Sequence, residues 1–170
     1  MMAVIFSDKF EKAVDYVIKN EGGYVFDEDD PGGETNYGIS KRSYPNLDIK
    51  HLSLKDAKKI YLCDYWHKGR FEEIPDDAVA TQVFDLSVNL GIRPAVTVLQ
   101  RALRSVGKNV LEDGLMGSQT LSAVKKSEPR SLLAAIKSEA AGYYRMIVCS
   151  KPGMAKFLNG WLNRAYKQFF

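Results

Sequence analysis

The sequence predicts a mainly α fold with one small β-hairpin near residues 24–40. Three observations point there. Apolar residues recur at helical spacing through most of the 170-residue chain. The stretch 24–40 breaks that period with Gly and Pro punctuation between short apolar pieces. Apolar residues make up 45% and charged residues 26%, a soluble globular balance that excludes collagen-like and disordered classes.

Each element follows in order. Ser7 caps a first helix with Asp8 in its opening turn, and Phe10, Ala13, Val14, Val17 and Ile18 form its stripe. Gly22-Gly23 ends it. Tyr24-Val25-Phe26, the acidic run Asp27 to Asp30, Pro31-Gly32-Gly33 and then Thr35 to Ser40 read as strand pieces joined by turns. Ser53 caps a second helix with Leu54, Ala57, Ile60, Tyr61 and Tyr65 on one face, followed by a loop around Gly69 and Pro75. Ala80, Val83, Phe84, Ser87 and Val88 mark a third, ending near Gly91. Pro94 suits a first helical position, and Ala95, Val98, Leu99, Ala102, Leu103 and Val106 give the cleanest stripe. Asp113-Gly114 and Gly117 are turn signals, and Ser118 caps a short helix through Val124. Pro129 opens a longer helix carrying Leu132, Ile136, Ala140 and Tyr143; Lys151-Pro152-Gly153 breaks it. A last helix uses Phe157, Leu158, Trp161, Leu162, Ala165 and Phe169.

Charge divides the chain. Residues 1–80 carry 11 Lys/Arg against 16 Asp/Glu, net −5, and residues 81–170 carry 13 against 5, net +8. We read a segment 1–80 and a helical region 81–170, packed together because no flexible linker separates them. A basic half suits an anionic partner, although Lys and Arg are also ordinary on helical surfaces. No nucleic-acid motif accompanies it, so nucleic acid is not an expected partner. Cys63 and Cys149 sit among apolar neighbours and read as small core residues, not a disulfide. No residues stand at metal-ligand spacing, and no cofactor is expected. No run of 18 apolar residues predicts stable membrane insertion. Met1 to Phe6 lack the basic start of a secretory signal, so synthesis in the cytoplasm without a signal peptide is expected.

Glu21 carries the most chemistry. It continues the apolar stripe of Val17 and Ile18, so its carboxyl turns toward the protein. The helix C-terminus and desolvation both disfavour the charged form there, which suits a general acid. The competing reading is a terminal Glu that swings into solvent. Asp30, or a neighbour in Asp27 to Asp30, is the candidate second carboxylate; two carboxyl groups facing across a cleft suit glycoside hydrolysis. A solvated acidic loop is the alternative. A calcium loop fails on spacing, since Pro31 takes the fifth position from Asp27 and Gly38 stands where a bidentate Glu is needed.

These residues also carry a resemblance. Glu21-Gly22-Gly23-Tyr24-Val25, then Asp30-Pro31-Gly32-Gly33, then Thr35-Asn36-Tyr37-Gly38-Ile39 resembles the signature of glycoside hydrolase family 108, lysozyme-like N-acetylmuramidases of phages, prophages and bacterial secretion loci. The resemblance implies a lysozyme-like helical fold with Glu21 as catalytic acid. The chain is more loosely similar to phage-type lysozymes, which place an Asp eight intervening residues after the Glu and a Thr beyond it. Asp30 fits that Asp; Thr35 comes one residue early for the Thr, with Asn36 in its place, so the resemblance leaves water positioning to either Thr35 or Asn36. Phe84 to Gly91, Leu99 to Leu103, Asp113-Gly114 with Gly117 and Thr120, and Phe157 to Arg164 resemble the predicted peptidoglycan-binding region that follows this catalytic segment. The same residues would also serve as the remainder of one lysozyme-like domain.

The expected activity is cleavage of the β-1,4 bond between N-acetylmuramic acid and N-acetylglucosamine. Glu21, Asp30 and Thr35 are the expected catalytic residues, and Tyr24, Asn36, Tyr37 and Asn89 the expected substrate contacts. Peptidoglycan glycan strands are the expected partner of a monomer that acts on the wall in the periplasm after release. A holin or secretion channel is then implied for export. The competing functions are lytic transglycosylase chemistry and a non-enzymatic wall-binding or secretion accessory.

Overall fold

The computed structural model describes residues 5–26 and 33–168. Asp30 and the other carboxylates of the acidic run lie outside the described residues. The fold is mainly α, with seven α-helices and one small antiparallel sheet among the described residues. The chain forms two compact units, Met1–Lys68 and Gly69–Phe170.

In the first unit, helix α1 (Asp8–Glu21) starts where the Ser7 hydroxyl accepts a bond from the Phe10 amide at 3.2 Å. It stops at Gly22, whose φ of 83° no L-residue adopts cheaply. Phe10, Ala13, Val14 and Val17 are fully buried, as their spacing predicts. The expected hairpin has one strand more: β1 (Val25–Phe26), β2 (Glu34–Asn36) and β3 (Ile39–Ser40) pair antiparallel in that order. Thr35 stands opposite Val25 on one side and Ser40 on the other.

Helix α2 (Leu54–Tyr61) is capped by Ser53 and runs into a π-helical turn, Leu62–His67. The wider turn rotates the buried face relative to a continuous α-helix. Tyr61, Leu62 and Trp66 are buried, and the Trp66 ring meets Phe10 edge-on at 5.5 Å. Leu54, expected inside, is exposed at the helix start. Cys63 is also exposed, as is Cys149 at the end of the longest helix; neither is the core residue expected from its apolar neighbours. Both expectations weighed sequence neighbours over helical phase, which alone decides which way a side chain faces.

In the second unit, α3 (Asp77–Leu90) is capped by Asp76, and every residue from Val79 to Ser87 is buried. A helix buried around its whole circumference belongs at the centre of its unit, with Thr81, Gln82, Asp85 and Ser87 as its buried polar residues. Helices α4 (Ile92–Ser105) and α6 (Pro129–Ser150) pack on it. Between them lies α5 (Ser118–Lys125), for which Gly117, not Ser118, is the capping residue. Pro94 falls at the third position of α4, where its missing N–H is still harmless. Pro129 does open α6, and Glu128 caps it by accepting from the amides of Arg130 and Ser131. After a 3-10 segment, Pro152–Phe157, α7 (Leu158–Tyr166) closes the unit. Arg164 of α7 holds the buried Asp85 carboxylate through two bonds, at 2.9 and 3.0 Å.

Candidate active site

Glu21 is the last residue of α1 and is half-buried. The four buried apolar residues of α1 fix the rotation of the helix and leave Glu21 on the same side as Val17. The Gly22 N–H returns to the Ile18 carbonyl at 3.1 Å, so the chain leaves the helix immediately after the carboxylate.

The turn between β2 and β3 meets this side chain. Asn36 and Ile39 are paired, leaving Tyr37 and Gly38 as a two-residue loop with φ of 52° and 78°. Positive φ at both positions is what a type I′ hairpin turn demands. Gly38 is required for space as well as for φ. A Cβ there would lie 2.7 Å from Glu21 Cγ and 2.7 Å from the Tyr61 hydroxyl. The backbone of the turn therefore rests directly on the Glu21 side chain. Tyr61, at the end of α2, donates its hydroxyl to the Tyr37 carbonyl at 2.8 Å and holds the turn there.

The π-helical turn after Tyr61 supplies a second tyrosine. The Tyr65 ring packs 5.8 Å from that of Tyr61 and is half-buried. Burial first, then the Asp64 and Glu21 carboxylates, push the Tyr65 phenol above its ordinary range, so its hydroxyl stays protonated as a donor. Asp64 is fixed from both sides: Lys68 donates to it at 2.7 Å and Tyr44 at 2.9 Å. The Lys68 bond, with a smaller contribution from Tyr44, holds the Asp64 carboxyl below its usual range. Burial and that same bond push the Tyr44 phenol up.

The other expected residues have the following places. Asn36 is 6% exposed, and its amide donates to the Ile49 carbonyl at 3.1 Å, tying the sheet to the next loop. Thr35 is half-buried; its hydroxyl lies 3.5 Å from the Val25 carbonyl, a long contact that leaves it nearly uncommitted. Tyr24 is exposed and donates to Glu34 at 3.0 Å. Tyr37 forms the turn. Asn89 belongs to the second unit, where it accepts a bond from Tyr144 at 3.0 Å. The structure thus brings Glu21 together with the Tyr37–Gly38 turn. It adds Tyr61, which its spacing marks only as core, and Tyr65, whose neighbourhood depends on the π-helical turn. Among the described residues no group of three or more His, Cys, Asp or Glu could hold a metal ion.

Residues 14–91 match the family model described as glycosyl hydrolase 108. This segment is similar to the glycosyl hydrolase 108 family. Glu21 and the Tyr37–Gly38 turn both fall inside the glycosyl hydrolase 108 match, as do Tyr61 and Tyr65. Residues 94–166 match the model of a predicted peptidoglycan domain. A solved structure of SagA from Brucella abortus is similar over 92% of each chain, with 28% sequence identity and a TM-score of 0.69. Comparison with curated protein sequences gave no match. The glycosyl hydrolase 108 match covers the segment that holds Glu21, and the fold is mainly α and lysozyme-like.

Proposed function

We propose that the protein hydrolyses peptidoglycan glycan strands at the β-1,4 bond between N-acetylmuramic acid and N-acetylglucosamine, with Glu21 as general acid. One observation carries this reading. The side-chain stem of a glutamate at the end of α1, in a glycosyl hydrolase 108 segment, is packed through its Cβ and Cγ against the Tyr37–Gly38 turn, which limits the directions its carboxyl can take. Fixed placement is what a proton donor to a glycosidic oxygen needs. Glu21 gives its proton to the leaving oxygen as the bond to the sugar C1 breaks. Asp30 is assigned to the opposite side of the ring, where it stabilises the oxocarbenium-like centre or guides water with Thr35. Tyr24 and Tyr37 are assigned to the substrate side, offering ring faces to sugars. The predicted peptidoglycan domain supports the choice of wall over other polysaccharides. The protein acts on the wall after release from the cytoplasm, as a monomer, through a holin or a secretion channel.

The test is digestion of purified sacculi by wild type and by Glu21→Gln, with mass spectrometry of the released muropeptides. Wild type is expected to release products with hydrated reducing ends, and Glu21→Gln to release none above background. Products with 1,6-anhydro ends would assign a lytic transglycosylase instead. Full activity in Glu21→Gln would remove Glu21 as the acid, and inactive wild type would remove the enzyme assignment and leave a wall-binding accessory.

A further inference from the structure

The residues that resemble a peptidoglycan-binding motif in the second unit are engaged with each other. Gln100 is 1% exposed. Its Nε2 donates to Asp113 at 2.8 Å, to the Leu115 carbonyl at 3.1 Å and to Thr120 at 3.2 Å, and its Oε1 accepts the Gly114 amide at 2.9 Å. This clasp fastens the 113–115 loop to α4 and sets where α5 begins. A buried, mutually satisfied cluster holds a shape and offers nothing to a ligand.

What the clasp shapes lies on the other side of α5. Thr120, Leu121 and Val124 face inward, so Gln119, Ser122, Ala123 and Lys126 share the opposite face at spacings of three, four and seven. The chain after α4 brings Lys108 and Asn109 beside them. These six residues line a pocket of about 260 Å³, and none of them is an acid. Neither Lys108 nor Lys126 has a carboxylate partner among the described residues. The neighbouring arginines differ: Arg101 and Arg104 both bind Glu112, at 3.1 and 2.9 Å. Glu128, the next acid along the chain, is engaged in capping α6. The side chains of Asn109, Gln119 and Ser122 are likewise uncommitted among the described residues. The pocket therefore combines two unpaired ammonium groups, three neutral hydrogen-bonding groups and an aliphatic floor from Ala123 and the lysine stems. That combination favours a ligand with carboxylates on a short, partly apolar backbone over a neutral sugar ring.

We propose that this pocket binds the carboxylate-bearing peptide stems of peptidoglycan, with Lys108 and Lys126 as its cations. The proposal rests on the wall reading above and names the part of the wall that the second unit holds. Cleavage and grip then use different chemistry: the first unit acts on sugars, the second on peptides.

The test uses full-length protein carrying Glu21→Gln, which removes digestion during a binding assay. It is co-sedimented with intact sacculi and with glycan strands stripped of their stems by an amidase. The expected result is that adding Lys108→Gln and Lys126→Gln weakens sedimentation by about 30-fold, two lost charge-assisted contacts. Stripping the stems should weaken the parent by as much, and raising salt should weaken it further. Gln119→Ala, an exposed change that leaves the fold intact, should give a smaller loss of about threefold. Equal sedimentation of the lysine variant, or equal retention of stripped strands, overturns the proposal. So does duplex DNA held as tightly as sacculi and released by the same two substitutions, which would mark a general polyanion site. Digestion of the same sacculi by wild type separates the two readings. Digestion without a lysine-dependent grip removes only the pocket, whereas no digestion and no sedimentation removes both.

Discussion

Gly38→Ala tests whether the hairpin turn places Glu21. The substitution adds one methyl group at a residue with φ of 78°. The left-handed backbone alone costs an L-residue about 1–2 kcal/mol. The methyl carbon would also lie 2.7 Å from Glu21 Cγ, 2.8 Å from Glu21 Cβ and 2.7 Å from the Tyr61 hydroxyl. Comfortable contact begins about 0.7–1 Å farther out, so something must move by that amount. Tyr61 is held by its bond to Tyr37 and is 1% exposed, which leaves the Glu21 side chain and the turn to give way. Overpacking of this size adds about 1–3 kcal/mol. The melting temperature should fall by about 5–15 °C. A displacement of about 1 Å in an acid should lower kcat by about 100-fold, measured well below the melting point, with KM little changed. Gly107→Ala is the control: its φ is 81°, but nothing lies within 4 Å of the added methyl. It carries the backbone cost without the clash and should leave sugar cleavage intact. If Gly38→Ala digests sacculi at the wild-type rate and melts like Gly107→Ala, the turn does not position Glu21.

Other substitutions probe the same network and its surroundings. Tyr61→Phe removes the donor to the Tyr37 carbonyl and should cost about 1–3 kcal/mol while lowering kcat about tenfold; an unchanged kcat would separate Tyr61 from the acid. Asp64 is held below its usual range chiefly by Lys68, so its ion pair stabilises the fold above pH ~4, the unfolded carboxyl value, and that contribution is lost as pH falls through the lower folded value. Melting curves from pH 5 to pH 2.5 should therefore fall more steeply for wild type than for Asp64→Asn, and parallel curves would contradict the assignment. Gln82 is fully buried, with neither amide atom bonded to a described group. Gln82→Met should raise stability by about 1–3 kcal/mol in calorimetry; a loss would mean that an ordered water satisfies the amide.

Much of the fold was legible because its signals are local. Ser7, Ser53, Gly22 and Gly91 mark helix ends through their own backbone and side-chain chemistry, and the structure places ends at each. The π-helical turn was not legible. Nothing in Leu62 to His67 breaks helical spacing, and the turn shows only in the structure, where Trp66 packs edge-on against Phe10. Glu21 could be singled out because its stripe and its helix end are both written in the sequence. Tyr61 could not, since a tyrosine on an apolar helix face looks like core until its hydroxyl is seen to reach the Tyr37 carbonyl.

The two ends of the chain show why a motif and a site need different evidence. In the first unit the signature residues Glu21 and Gly38 touch each other, and the Glu21 Cβ and Cγ with the Tyr61 hydroxyl leave no room for a methyl group on the glycine. In the second unit the signature residues Gln100, Asp113, Gly114 and Thr120 also touch each other, and they are bonded mainly to one another. Sequence weighs these clusters alike. Hydrogen-bond occupancy marks the second as scaffold: groups already satisfied inside the protein build the fold, whereas groups left uncommitted are open to a ligand. By that criterion Lys108 and Lys126, which belong to no motif, are better candidates for contact with the wall than the residues that carry the resemblance.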